Sequence, residues 1–445
     1  MSGRSGRATM GTAISSAEPA AGVWPTVAVG RLCGCHHDAM ANETSRPILD
    51  GIRVVDLTQY LAGPTVTRLM AEQGADIVKV EQSPSGDPTR SLGVVTDGRS
   101  GYFIQQNRGK RSICLDFRSD EGLAIVRELI ERADVVVENY GPGVLEKRGL
   151  DWATVSKTNP SLVMASVSAF GRTGMYSGKV GYDLIAQAFS GVMHMTGERD
   201  GPPQPVGTGI GDVTAGVHAF AGIGMALFHR ERTGNGQHVD VSMVDALFHQ
   251  HELNVHGPAM TNMRWRPKRS GHHSAVNAPQ GVFRAPEGWI VLLVLDRQWG
   301  NTCRALGRPE LETDERFATL RGRKDNKEEL IAIIEGWMAN FDTDEEVMAV
   351  LEEHRVPAGQ VIDPAEAISH PYFRERGMVR EVPDPVLGEI TIPGDPFKFS
   401  SQGDPLDLVA PLLGEHNVEV LAELGYPAER IDELAESGVL TSGDR

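Results

Sequence analysis

The sequence predicts an α/β protein with a parallel sheet and a second, smaller α+β region. Three observations lead there. A strand–helix–strand unit opens the periodic part of the chain, between Ile52 and Val80. The same pattern recurs between Leu123 and Val167. Near Arg264 the composition then turns to Arg, Pro, Gly and His up to Pro279, which reads as a linker. A chain of 445 residues exceeds one ordinary core, so two domains are expected.

In the first unit Ile52-Arg-Val-Val-Asp-Leu57 is a strand. Pro64 sits where a first helical turn tolerates it, a helix runs to about Glu72, and Gly74 closes it. Ala75-Asp-Ile-Val-Lys-Val80 is the next strand, and a βαβ unit of this kind implies a parallel pair with a right-handed crossover. In the second unit Leu123, Val126 and Ile130, with Ile125 and Leu129, mark an amphipathic helix. Val135-Val-Val137 is a buried strand ending in the loop Glu138-Asn-Tyr-Gly-Pro-Gly143. Open α/β sheets bind ligands at such carboxyl ends. A helix near Trp152–Lys157, a strand Leu162–Val167 and a helix Asp183–Phe189 follow. An Ala/Gly-rich helix is expected over Val213–Arg230, a strand over Gln237–Ser242 and a helix over Val244–Leu253. Beyond the linker come strands at Gly281–Phe283 and Trp289–Leu295, then helices at Asn326–Asn340 and after Thr343-Asp-Glu-Glu346, a capping box, and Asp363-Pro364. Short strands at Gly388–Ile392 and Pro396–Ser400 precede a terminal helix, Asn417–Leu424.

Hydrophobic residues make up 40% and charged residues 23%, a globular composition. The formal net charge of -17 repels nucleic acid and anionic membranes, so neither is an expected partner. A polyanionic ligand would need a local basic patch. Asn107–Arg118, with Arg108, Lys110, Arg111 and Arg118, is the candidate, although such a run is commonly a solvated face. An apolar run of about 18 residues or more is not seen, so no membrane span is expected. Four cysteines form no disulfide framework, and a reducing cytoplasm is the simple location. Cys33-Gly-Cys35-His36-His37 is tighter than the usual zinc pairs and has no second pair at finger spacing, so no metal is expected there or among the histidines between His249 and His273. Residues 1–47 lack periodicity and read as a disordered extension or a misassigned start, Met40 being a possible true one.

The stretch that carries chemistry is Gly207-Thr-Gly-Ile-Gly-Asp-Val-Thr-Ala-Gly216. Asp212 stands about at the N-cap of the helix that follows. One reading is a cap, since an Asp oxygen accepts free backbone N–H groups. The other is a nucleophile: a helix N-terminus favours an ionised carboxylate, flanking glycines let a substrate approach the backbone, and the free N–H groups suit an oxyanion. A dinucleotide fingerprint is excluded by the spacing of Gly207, Gly209 and Gly211 and by the lack of a clear preceding strand.

Motifs then add to this reading. Leu49-Asp-Gly-Ile-Arg-Val-Val-Asp-Leu57, Ala62-Gly-Pro64, Gly74-Ala-Asp-Ile-Val-Lys-Val-Glu81, Lys110-Arg-Ser112, Asp134-Val-Val-Val-Glu-Asn139, Gly211-Asp212, Thr233-Gly-Asn-Gly-Gln-His-Val239 and Pro411-Leu-Leu-Gly-Glu-His416 occur in this order. Together they resemble the class III CoA-transferase family, over roughly Leu49 to Tyr426. The resemblance implies a Rossmann-like large domain (48–263), a smaller domain (264–383), a C-terminal segment returning to the large one (384–445), and an interlocked homodimer. It implies that Asp212 is the nucleophile. It further implies that coenzyme A, a substrate and not a resident cofactor, contacts Leu61, Ala62, Gln82, Leu115, Asp116, Phe117, Arg118, Asn139, Tyr140, Gly141, Lys147, Lys179 and Tyr182. Formyl-CoA transferases of the family carry a glutamine where Leu61 stands and an arginine where Gln82 stands, and their four-glycine loop is not found in Ser270–Gly281. The resemblance therefore points away from oxalate and formate.

For such an enzyme the expected reaction moves CoA from an acyl-CoA to a carboxylic acid through aspartyl anhydride and aspartyl-CoA thioester intermediates. Backbone N–H groups near Asp212 and at Gly271 or Gly281 are candidate oxyanion donors. A racemase of the same family would need a second acid/base group, a histidine in a Gly-His-Asp context. Here Gly181-Tyr182-Asp183 stands instead, and a tyrosine of pKa near about 10 is a poor base at neutral pH. An inactive CoA-binding homologue is the remaining alternative. The loops Tyr176–Lys179, His194–Pro203 and Arg264–Pro279 are expected to set acyl specificity, and their charge suggests a polar or dicarboxylic acid.

Overall fold

Six strands build the main sheet: β1 (Arg53–Leu57), β2 (Asp76–Gln82), β3 (Lys110–Leu115), β4 (Val135–Glu138), β5 (Val163–Ser168) and β6 (Gln237–Ser242). Their order is β3-β2-β1-β4-β5-β6, and every neighbouring pair is parallel. The chain thus winds outward from β1 to one edge, returns to the middle, and winds outward to the other edge. This doubly wound order reverses between β1 and β4, and a reversal leaves a crevice at the carboxyl ends of those two strands. This is a computed structural model, and it describes residues 46–401, 406 and 408–443. The expectations for residues 1–45, the Cys33–His37 stretch among them, lie outside the described residues.

Alternation within the strands fills both faces. Val54, Ile77, Val135 and Val137 pack under the helix Ala62–Glu72 and the long helix Ile210–Thr233. Val55, Leu57, Val78, Ile113 and Val136 pack under the helix Asp120–Glu131 and the C-terminal helices Asn417–Leu424 and Ala428–Glu436. The C-terminal segment also covers the β3 edge: Cys114 N–H donates to Asn417 Oδ1 (2.9 Å), Asp116 N–H to Val439 O (2.8 Å), and Thr441 N–H to Cys114 O (3.0 Å). A covered edge is no longer a template for foreign strands.

A separate core lies in residues 283–356. It packs beneath a three-stranded antiparallel sheet, β7 (Gln280–Arg284), β8 (Trp289–Leu293) and β9 (Ala358–Gln360), in the order β9-β8-β7. A ribbon of β10 (Val379–Asp384) and β11 (Gly388–Pro393) runs across the 383/384 boundary expected from sequence.

Several elements differ from the sequence reading. The basic stretch 107–118 contains β3, a strand in the sheet. Pro396–Ser400 is not a strand. The last helix, Ala428–Glu436, was not expected; its interior is polar and only Ile431 and Leu434 are buried. The long helix starts at Ile210, three residues earlier than expected. It is also long and apolar enough, by length and composition, to cross a membrane, so the expectation of no such run is corrected. Its alanines and glycines let it lie close on its neighbours. A Cβ at Gly216 would stand 2.8 Å from Ala62 O and from Thr65 Cβ, so only glycine allows that approach.

Candidate active site

The site forms where the sheet order reverses. After β1 the chain turns through Thr58-Gln59-Tyr60-Leu61, and after β4 through Asn139-Tyr140-Gly141-Pro142. A buried ionic cluster fixes the first turn from below. Asp56 accepts from Thr58 N–H (2.9 Å) and Thr67 Oγ1 (2.8 Å) and pairs with Lys110 (2.9 Å). Lys79 Nζ donates to Thr58 O (2.8 Å) and pairs with Asp87 (2.9 Å). Burial disfavours the Asp56 charge, but Lys110 and Lys79 outweigh it and hold the carboxyl well below its usual range. Tyr60 follows at φ +66°, a left-handed conformation that a non-glycine residue holds only when its surroundings enforce it. The second turn is fastened by Arg172, which donates to Glu138 Oε1 (2.6 Å) and to Tyr140 O (2.8 Å).

Asp212 enters from the long helix. The N-cap is Gly209, so Asp212 is the third helical residue and caps nothing. The capping reading is thereby corrected. The oxygen at this helix end comes from another element: Gly211 N–H donates to Asp183 Oδ1 at 2.6 Å. Among the described residues the Asp212 side chain has no hydrogen-bond or ion-pair partner. Burial, and after it the charge of Asp183, raises its pKa to about 7. A carboxyl group left unpaired and partly desolvated in a cleft is a functional candidate on physical grounds.

A cavity of about 340 Å³ joins these parts. It brings together Leu61, Asn139, Tyr140, Gly141, Lys179, Tyr182 and Asp212. It also includes Gln59, Tyr60 and Tyr102, which the sequence reading did not single out. Nothing in the local pattern around Tyr102 marks it; only the tertiary placement of the helix Gly101–Asn107 does. Ala62, Gln82, Leu115, Asp116, Phe117, Arg118 and Lys147 are not in its wall, and neither are Gly271 and Gly281. Leu115 and Phe117 are buried in the core, so any ligand contact they make is through backbone. Phe117 nonetheless meets the Tyr140 ring edge-on, 6.1 Å between centroids. Beside it Asp116 accepts from Gln82 Nε2 (2.8 Å) and Arg118 Nε (2.8 Å), and Lys147 is exposed in the turn Glu146–Arg148.

The basic patch expected over Asn107–Arg118 does not exist as a free surface. Arg108 is buried against Glu72. Lys110 is buried against Asp56, and Arg111 is held by Asp76, Glu419 and Glu423. The strand period alternates these side chains onto different partners, and only Arg118 remains mainly exposed.

Two of the loops expected to set specificity are tied together. Arg269 donates to His194 O (3.0 Å), Gly201 O (2.9 Å) and Glu198 O (3.3 Å), and His272 lies 3.3 Å from Glu198.

Comparison with known proteins gives these findings. A family model described as CoA-transferase family III matches residues 49–417. The chain is 41% identical over 388 residues to the succinyl-CoA:mesaconate CoA-transferase of Haloarcula hispanica, covering 85% of this chain and 96% of that protein. It is 38% identical over 410 residues to the formyl-CoA:oxalate CoA-transferase of Streptomyces coelicolor, covering 88% and 99%. A solved structure, a CaiB/BaiF family protein from Brucella suis, matches with a TM-score of 0.76 and 36% identity over 85% of this chain and all of that one.

Proposed function

The chain belongs to CoA-transferase family III, and from that premise we propose that Asp212 is the nucleophile that passes coenzyme A between two carboxylic acids. The observation that carries this reading is the unpartnered Asp212 carboxylate on the cavity wall at the sheet reversal. The ionised Asp212 attacks the donor thioester carbonyl, and CoA leaves as thiolate, giving a mixed anhydride. The thiolate then attacks the aspartyl carbonyl and releases the donor acid, giving an aspartyl-CoA thioester. The acceptor carboxylate attacks that thioester and expels the thiolate again. The thiolate finally attacks the acceptor's acyl carbon in the second anhydride and frees Asp212. Each intermediate keeps the energy of the thioester, so no ATP is consumed. Water must be kept out, because it would hydrolyse every one of them.

Coenzyme A is proposed to lie along the carboxyl edge of the sheet, past Asn139–Gly141 toward Gln82, Arg118 and Lys147. The proposed acceptors are short dicarboxylic acids. Charged residues in the paired loops His194–Pro203 and Arg264–Pro279 support this. Leu61 on the cavity wall beside Asp212 offers no hydrogen bond to an acid as small as oxalate, and that favours longer dicarboxylates. The reading also includes a second copy of the chain. Met225 and Phe228 on the long helix are 69% and 65% exposed, Phe189 on the neighbouring helix 54%, and Tyr182 just before that helix 66%. Apolar surface of this extent marks an interaction face.

The test is isotopic. The enzyme is given succinyl-CoA and an acceptor whose carboxylate carries heavy oxygen. The anhydride steps leave one labelled oxygen on Asp212, read by peptide mass spectrometry. Transfer without label in that peptide overturns the mechanism. Transfer to oxalate but not to four- or five-carbon dicarboxylates overturns the acceptor class.

A further inference from the structure

A carboxylate in the first turn of a helix is drawn to the free N–H groups there, which would turn it away from a substrate. Asp212 escapes this because another residue has taken that place. Asp183 Oδ1 accepts from Gly211 N–H at 2.6 Å, while its Oδ2 accepts from Gln187 Nε2 at 2.7 Å. Gln187, fully buried, uses its Oε1 to accept from Val206 N–H at 2.9 Å. Both ends of the segment 206–211, which leads into the nucleophile, are therefore bolted to the helix Asp183–Ser190. That helix begins directly after Tyr182, a residue of the cavity wall. The fit is close: a Cβ at Gly211 would stand 2.8 Å from Asp183 Oδ1.

We propose that Asp183, with Gln187 behind it, is a positioning residue for the transfer reaction: it caps the nucleophile's helix from outside and leaves the Asp212 carboxylate free to face the cavity. This rests on the reading of Asp212 as nucleophile. Asp183 has a second effect, through charge. The other ionisable groups on the cavity wall are Tyr60, Tyr102, Tyr140, Tyr182 and Lys179. Lys179 is turned onto the Tyr176 ring, its Nζ 4.0 Å from the centroid. Burial, and after it the Asp183 charge, holds the Asp212 carboxyl toward its protonated form, so the residue that aims the nucleophile also adds to the pH at which it becomes active.

The test compares D183A and D183N in the full-length enzyme, with thermal melts to confirm folding. D183A is expected to lower kcat about a hundredfold with little change in KM for acyl-CoA, the signature of a misplaced reacting group. D183N keeps an oxygen for Gly211 N–H but sets its amide nitrogen against Gln187 Nε2, so it is expected to restore part of that loss. It removes the neighbouring charge, so the pH midpoint for kcat/KM is expected to fall by about one unit. A second readout uses no substrate: carbodiimide labelling of Asp212 against pH, followed by peptide mass spectrometry, shifts in the same direction in D183N. An unmoved midpoint in D183N, or a D183N as impaired as D183A, overturns the proposal. If the labelling midpoint moves while wild-type enzyme never forms an aspartyl intermediate, the positioning of Asp212 stands and its nucleophilic role falls.

Discussion

Gln59 and Asn139 exchange two hydrogen bonds across the reversal of the sheet: Gln59 N–H donates to Asn139 Oδ1 at 2.9 Å, and Asn139 Nδ2 donates to Gln59 O at 2.7 Å. One amide side chain thereby joins the turn after β1 to the turn after β4 on the cavity wall. N139A removes both bonds. The expected cost is about 1–2 kcal/mol of stability, measured by urea unfolding, together with a raised KM for acyl-CoA. A variant with unchanged KM would mean that the two turns hold their spacing without this bridge.

Asp212 is a liability to the fold. Its folded-state pKa of about 7 lies above the ordinary carboxyl value of 3.8, so the folded state binds the proton more tightly. The associated stability is complete below about pH 4 and is lost as the pH rises through 7. D212N cannot ionise and escapes the loss. It is expected to abolish transfer and to raise the melting temperature at pH 8, by an amount equivalent to a few kcal/mol at about 1.4 kcal/mol per pKa unit, with little change at pH 4. Melting curves of both proteins at the two pH values check this.

The same shift fixes the activity profile. Attack needs the ionised carboxylate, so kcat/KM is expected to rise with pH through a midpoint near 7, since that ratio reports ionisations of the free enzyme. A profile flat between pH 6 and 8 would contradict the proposed environment of Asp212.

The arginines of the 107–118 stretch should separate cleanly. R108A leaves Glu72, whose pKa is already raised by burial, buried beside Arg68 alone. Breaking a buried pair in this way costs about 3–5 kcal/mol. R118A removes an exposed cation held only by Asp116. It is expected to leave stability nearly unchanged and to raise KM for acyl-CoA, and the salt dependence of KM should weaken with it. Denaturant midpoints and KM at two salt concentrations distinguish the variants.

The strands of the doubly wound sheet were legible because they are short apolar runs bounded by turn residues. Val135-Val-Val137 is buried on both sides and announces itself. The nucleophile candidate was legible as a type, a carboxylate among glycines, but its helical position was not. The residue that caps this helix is Asp183, 28 positions away, and local sequence carries no trace of that contact. The pairing of the charges around Lys110 is hidden from the sequence for the same reason. Their partners Glu72, Asp56 and Asp76 lie on neighbouring elements, and a run of cations looks alike whether solvated or internally paired. The final helix is not legible because two buried residues, Ile431 and Leu434, make too weak a period.

The most direct test of the whole account is to mix the enzyme with succinyl-CoA, quench with borohydride, and sequence its peptides by mass spectrometry. An aspartyl-CoA thioester is reduced to an alcohol, so the account predicts that the side chain of Asp212, and no other, is converted to the homoserine form. Competent transfer with Asp212 unmodified would contradict it.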